Sequence, residues 1–483
     1  MTLNLRSPWW IVAGALLLAS AYVPTLSAPF DFIDDGNLVY PSGGVTTFSG
    51  HAELWWEKVR ANYDHLGPFR PSLWVHWQVA ANTLGGDATA WRALRWVWCA
   101  LAAGMLLWLF RELGMHPVAG LMAAALAMWN PYRNEIWVSL TLAEGVAMPY
   151  ALFSLVAARK AADAGRPFWW DVGAVVGVLV ALGCKNTFAA LVPAQMALRL
   201  WPDSLTLKEA IKRNGWRAAL LGVTLAMPVA HFLYFKANWH PGQYETHPPS
   251  VAQLVRIGAC LKGTMSLDFM AAGLILALIA ARKGVAPVRP AVLCAVPLIL
   301  GGVVMYLPMT MMSGRYSMPA VWGFDVLFAL LMTAVIASPS SLCRRAALVG
   351  VVAGLAAVLV ANVGRQERVK ARAVMLWQAL HRVEATAPQD ARIGWLSGDS
   401  NRGGLNVEEG IHFQWHLMHR TRSDIRVGLF DEDGKPLSRV ELPPLAGPPQ
   451  FFVGGKVPDA AHTFSARYHL GRREYACQVG AAK

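Results

Sequence analysis

WWIVAGALLLASAYVPTLSAPF, residues 9–30, followed by Asp31-Phe32-Ile33-Asp34-Asp35-Gly36, sets the frame for the whole chain. The apolar run is close to the roughly 20 residues that cross the hydrocarbon of a bilayer, and paired carboxylates follow it at once. Like charges side by side raise one pKa, and an ionised group at a membrane edge must reach water or a cation. Asp34-Asp35-Gly36 also suits a tight turn, yet acids kept at such an edge are candidates for function. Asp34 and Asp35 are therefore read as catalytic. Arg6 precedes the run as in a secretion signal, but Pro29 directly after Ala28 disfavours cleavage, so a retained first helix is expected.

The rest of the composition agrees. Of 483 residues, 55% are hydrophobic and 15% charged, with 21 Trp, and the mean hydropathy is +0.36. Soluble domains rarely reach that balance, so a polytopic membrane protein is expected. The excess of 43 Lys+Arg over 30 Asp+Glu lies largely in short loops between apolar runs, where it sets topology, rather than in the clustered basic face of a nucleic-acid binder. Cysteines 99, 184, 260, 294, 343 and 477 show no paired spacing for a metal knuckle. A bacterial cell inner membrane is the setting that fits.

About eleven spans are expected, near 9–28, 93–110, 117–130, 136–157, 169–184, 187–200, 216–236, 266–281, 291–311, 316–337 and 345–363. With a cytoplasmic N-terminus, alternate loops carry Arg111, Arg159, Lys160, Lys208, Lys212, Arg213, Arg282, Lys283, Arg289, Arg344 and Arg345, as the positive-inside rule requires. This topology places the Asp34-Asp35 loop and the C-terminus outside. Residues 29–92 form a long first outer loop, in which His51–His65 and Leu73–Leu84 are patterned as amphipathic helices lying in the membrane interface.

The transmembrane module is placed at 1–363 and a soluble periplasmic domain at 364–483. The latter opens with a basic helix over Arg365–Val383, breaks at Pro388, and continues in strand-like runs at Ile393–Leu396, Ile425–Phe430 and Phe451–Val453. The fold class expected is an α-helical polytopic membrane protein with a small C-terminal α/β extracytoplasmic domain.

On this topology Asp34, Asp35, His65, Arg70, Arg133, Glu135, Lys185, His240, Tyr244, His247, Arg315 and Tyr316 converge on the outer side. Acids and cations at one interface suit a reaction between a lipid-linked phosphate and a hydroxyl. The cations bind the phosphate leaving group and a carboxylate takes the hydroxyl proton.

The order of short motifs resembles a family. The acidic pair is followed by Phe69-Arg70-Pro71-Ser72, Asn130-Pro131-Tyr132-Arg133-Asn134-Glu135, Lys185-Asn186 and Gly314-Arg315-Tyr316-Ser317-Met318-Pro319. Over residues 1–363 this is similar to the C-type (GT-C) polytopic membrane glycosyltransferases, in particular the protein O-mannosyltransferases and their bacterial relatives that use polyprenyl-phosphate sugars. The resemblance implies that Asp34 or Asp35 is the general base, or that the pair ligates Mg²⁺ or Mn²⁺ as in relatives that need a divalent ion. It implies that Arg70, Lys185, Arg315 and Tyr316 hold the donor phosphate, and that Glu135, Arg133 and His65 orient acceptor or donor. Relatives often place a Glu after the lysine that Asn186 follows here, which opens the role of that loop.

The mechanism implied is an inverting in-line displacement at the anomeric carbon, with a polyprenyl-phosphate monosaccharide as donor and a glycan, lipid or protein hydroxyl of the cell envelope as acceptor. Two other classes compete. A lipid-linked glycan flippase would spread charge through the midplane around broken helices, whereas a non-catalytic membrane scaffold needs no acids and cations on one face.

Overall fold

The computed structural model describes residues 8–32, 35, 38, 48–66, 69–165, 167–202, 204–230, 233, 250–265, 288–307, 318–338, 340–398, 405–419, 422–437, 442, 445–454, 463–470 and 473–481. The chain opens with α1 (Trp9–Ser20), which ends in a 3-10 turn over Val23–Ser27 with Pro24 inside it. Next come α2 (Phe48–Leu66) and α3 (Pro71–Leu84), the two helices expected of the first loop. They pack on each other: Trp55 Nε1 donates to the Pro71 carbonyl at 3.0 Å, and Gln78 Nε2 donates to the His51 carbonyl at 2.8 Å.

The bundle continues with α4 (Ala88–Glu112), α5 (Pro117–Trp129), the single turn α6 (Glu135–Val138) and α7 (Ala143–Asp163). It closes with α8 (Phe168–Cys184), α9 (Leu191–Leu200), α10 (Leu207–Val223), α11 (Val251–Met265), α12 (Val288–Tyr306) and α13 (Met318–Ile336). Starts follow cap chemistry. Asp87 accepts from the Thr89 and Ala90 amides at the head of α4, and Thr206 and Glu209 form a capping box on α10. The described parts of the expected spans are largely helical, and 266–281 lies outside the described residues. Among the described residues, four helices are long and apolar enough to cross a membrane, in α4, α12, α13 and the helix that follows.

One expected span is corrected. Residues 136–157 are not one helix: α6 stops at Val138, the chain runs non-helically through 139–142, and α7 begins at Ala143. Apolar content alone hides the break, because the carbonyls it frees are taken up by arginines from α4, as described below.

The final helix, α14 (Ser341–Thr386), has 46 residues and therefore runs about 69 Å, more than twice the hydrocarbon thickness of about 30 Å. Its first half is apolar and its second half amphipathic. The division expected at 363/364 falls inside this continuous helix, so the C-terminal unit is built on the bundle's own last helix. Ala371, Met375, Leu376, Ala379, Leu380 and Val383 on that second half are buried against a mixed sheet.

The sheet order is β3-β2-β1-β4-β6-β5. β1 (Arg392–Leu396) pairs in parallel with β2 (Arg426–Phe430) and β4 (Phe451–Gly454), with α15 (Val407–His419) crossing between β1 and β2. The short β3 (Pro436–Leu437) and the hairpin of β5 (Thr463–Leu470) and β6 (Arg473–Ala481) add antiparallel edges. The three expected strands are β1, β2 and β4; α15 and the hairpin were not foreseen. The core of this unit includes Phe32 from the first loop, fully buried among Trp377, Phe413 and His416 at ring-centroid distances of 5.4, 5.9 and 4.9 Å.

Candidate functional site

The site lies at the end of the bundle where α4 and α7 begin and α8 ends. Two arginines near the start of α4, three residues apart, face inward there. Arg92 donates through Nη2 to the Pro29 carbonyl at 2.8 Å and through Nη1 to the Val138 carbonyl. Arg95 donates to the carbonyls of Leu140 and, at 3.2 Å, of Leu142. The non-helical 139–142 stretch is thus satisfied inside protein, the condition under which irregular backbone is tolerated at membrane depth. A Cβ at Gly145 would displace the Arg95 guanidinium from these carbonyls.

Asp35 lies against this pair. Its carboxylate is fully buried, accepts the Asp31 amide at 2.7 Å and stands 3.9 Å from Arg92 Nη2. Asp34 and Gly36 lie outside the described residues. Asp31, outside the spans, also belongs to the cluster. Burial pushes its carboxyl above the usual carboxylate range, opposed by Arg92 and Arg372 and reinforced by Glu409. Glu409 is the buried first-turn acid of α15, held by Arg372 at 2.5 and 2.7 Å. Trp377 Nε1 donates to the Phe30 carbonyl at 2.8 Å, so the acidic loop is clamped between bundle and C-terminal unit.

Arg95 is also within electrostatic reach of Glu144, in the first turn of α7. Glu144 forms a buried ion pair with Lys185, which caps the C-terminus of α8. Each charge sits at the favourable end of its helix dipole. Arg70 precedes α3, and the neighbouring Ser72 packs against Gly183, where a Cβ would collide with it; Arg70 also acts electrostatically on Cys184. Arg70 and Lys185 therefore stand at the same corner. The Arg70 Nε is buried with no hydrogen-bond partner among the described residues. Such an orphan costs about 1–3 kcal/mol unless a ligand supplies an acceptor.

Of the residues expected here, the structure brings Asp35, Arg70 and Lys185 to one end. Arg133 is placed differently. It makes a buried ion pair with Asp325 of α13 at 2.7 Å, in a latch where Asn134 Nδ2 donates to Asn362 of α14 at 3.0 Å and Arg365 donates to the Pro131 carbonyl. The sequence expectation gave Arg133 to acceptor or donor; in the structure its guanidinium is paired with Asp325. Glu135 is half-buried at the start of α6, and His65 lies in the last turn of α2. His240, Tyr244, His247, Arg315 and Tyr316 lie outside the described residues. The sequence reading missed Arg92, Arg95, Glu144 and Asp325. The available signal was ionisable residues inside or beside apolar runs, which are functional or paired by default.

The proposed divalent-ion pair is Asp34 with Asp35, of which only Asp35 lies among the described residues. Asp35 Oδ2 accepts the Asp31 amide and faces Arg92, and no group of three potential metal ligands occurs among the described residues.

The opposite end of the bundle is basic and aromatic. Asp171 receives Arg199 at 2.6 Å with Arg217 3.9 Å away, Lys160 lies 3.4 Å from Glu112, and Arg289 stacks on Trp201. Loop cations expected on the cytoplasmic side thus gather away from Asp35, since α4 and α7 each carry one group at either end.

No family model and no curated protein matches the chain. Among solved structures it is similar to ArnT from Cupriavidus metallidurans bound to undecaprenyl phosphate, at TM-score 0.52 and 14% identity over 99% of this chain and 98% of that one. The apo state of the same ArnT aligns at TM-score 0.48 and 13% identity, over 98% of each chain. The first match spans bundle, first loop and C-terminal unit together, and the chain accordingly has the polytopic GT-C fold.

Proposed function

We propose that this chain is an inner-membrane glycosyltransferase that moves a monosaccharide from a polyprenyl-phosphate donor to an acceptor hydroxyl on the extracytoplasmic face. The observation that carries this is the single corner where the first-loop acids, the Glu144–Lys185 pair and the partly unsatisfied Arg70 meet. Undecaprenyl phosphate bound to the structurally similar ArnT fits a lipid of that class. Charge gathered at the ends of the bundle rather than around a broken midplane disfavours a flippase.

In the reaction the acceptor oxygen forms a bond to the anomeric carbon as the bond from that carbon to the phosphate oxygen breaks, and the configuration inverts. The polyprenyl phosphate leaves with the electron pair, and its charge is met by Lys185 and Arg70, with Arg315 and Tyr316 as further phosphate ligands. The acceptor proton passes to a carboxylate. Asp35 is already engaged by Arg92 and the Asp31 amide, so it positions the loop and the base falls to its neighbour Asp34. Glu144 holds Lys185 in place before the donor arrives.

The test is transfer from radiolabelled undecaprenyl-phosphate sugars to membrane extract by purified protein. Asp34→Asn is expected to lower the rate about 100-fold or more, and Lys185→Ala to weaken donor binding. Wild-type rates in both Asp34→Asn and Asp35→Asn would sink the proposal. A reporter fused at Lys483 and found in the cytoplasm would overturn the orientation.

A further inference from the structure

A groove of about 710 Å³ runs between α1 and α4 and ends at the basic side of the bundle. Its walls are apolar, with Ile11, Leu16, Leu101 and Gly104 among them. The two helices run antiparallel: Trp96 Nε1 donates to the Ala19 carbonyl at 2.9 Å near one end, and Pro8 lies beside Arg111 at the other. From Trp96 to Arg111 the wall is about 22 Å long, more than the roughly 15 Å taken by the chains of one leaflet.

The end of the groove is closed by Trp108, Trp170, Arg111 and Lys160. Trp108 and Trp170 meet edge to face at 6.3 Å, and Lys160 Nζ lies 5.4 Å from the Trp170 centroid. Glu112 stands 4.0 Å from Arg111 and 3.4 Å from Lys160, while Arg159 is paired with Asp163 at 3.2 Å. The cluster of Arg111, Lys160 and Glu112 therefore carries one net positive charge, beside an apolar slot and under two indole rings. One phosphodiester charge completes it.

We propose that this groove binds an anionic glycerophospholipid, with an acyl chain between α1 and α4 and its phosphate at Arg111 and Lys160. Basic pockets between spans, flanked by interfacial Trp, are built for such head groups. The site is distinct from the Asp35 corner and does not depend on the activity proposed there.

The experiment is native mass spectrometry of the full chain, delipidated in mild detergent and titrated with phosphatidylglycerol or phosphatidylcholine of the same acyl chains. Phosphatidylglycerol is expected to bind about tenfold more tightly. Arg111→Gln with Lys160→Gln should abolish that preference, whereas Arg111→Lys with Lys160→Arg should keep it. A Cβ at Gly104 would meet only Ala15, at 3.6 Å, so Gly104→Leu should fill the slot and weaken both lipids. Equal binding of the two lipids, a preference that survives the double Gln variant, or no effect of Gly104→Leu would overturn the proposal. Displacement of phosphatidylglycerol by undecaprenyl phosphate at lower concentration would also overturn it, because the occupant would then be the carrier.

Discussion

Asp31 and Lys185 show what burial does to single charges in this chain. The folded pKa of Asp31 lies above its unfolded value of about 3.9, so folding favours the protonated acid. The resulting penalty is absent below that pH and grows as pH rises toward the folded pKa. Asp31→Asn should therefore raise the unfolding temperature more at pH 7 than at pH 4, measured in the same detergent; an equal difference at both would refute the shift. For the Glu144–Lys185 pair, removing one partner strands a buried charge. Glu144→Gln or Lys185→Met alone should cost about 3–5 kcal/mol. The double variant should cost less than the sum of the two, and a thermal-unfolding double-mutant cycle reads that coupling.

At the scale of elements, two of the described contacts secure the C-terminal unit: one seats it on the first loop, the other closes the end of α14 within it. Phe32 carries the first loop into the second core, and Phe32→Ala should destabilise that seat by about 3–5 kcal/mol. Sugar transfer should fall with it, because the adjacent Asp31 and Asp35 lose their placement; a kinetically normal Phe32→Ala enzyme would show that the seat is not needed. The second contact ends α14. Arg422 donates to the carbonyls of Glu384, Ala387 and Pro388 at 3.2, 2.9 and 2.6 Å, the groups a helix C-terminus leaves orphaned. Arg422→Ala should cost about 1–3 kcal/mol, seen as faster amide exchange over residues 383–388.

Among the described residues the two largest cores, of the bundle and of the C-terminal unit, are joined by α14, with the acidic loop bridging them. Truncation after Thr386 would uncover Met375, Leu376, Leu380 and Val383 on α14 and remove the Phe413 and His416 walls around Phe32. The truncated chain should elute as aggregate and lose transfer, whereas a monodisperse, active product would mean that the C-terminal unit is dispensable.

Hydropathy summed over a window of about 20 residues and strand-length apolar runs by themselves determined the helical membrane class, most of the described helices, though not α11 or α15, and three of the six described strands. Those are properties of neighbouring residues, and transfer into hydrocarbon is nearly additive along the chain. The acidic loop, Arg70 and Lys185 were visible in the same way, as charges that an apolar setting makes expensive. What each charge faces was decided only by the tertiary structure. Glu144 meets Lys185 across 41 positions, Arg133 meets Asp325 across 192, and Phe32 meets Trp377 at the far end of the chain. Pairing energy falls off over a few ångströms in space and carries no record of separation along the sequence. That is why nothing beside Arg133 in the sequence announces the carboxylate that α13 brings to it.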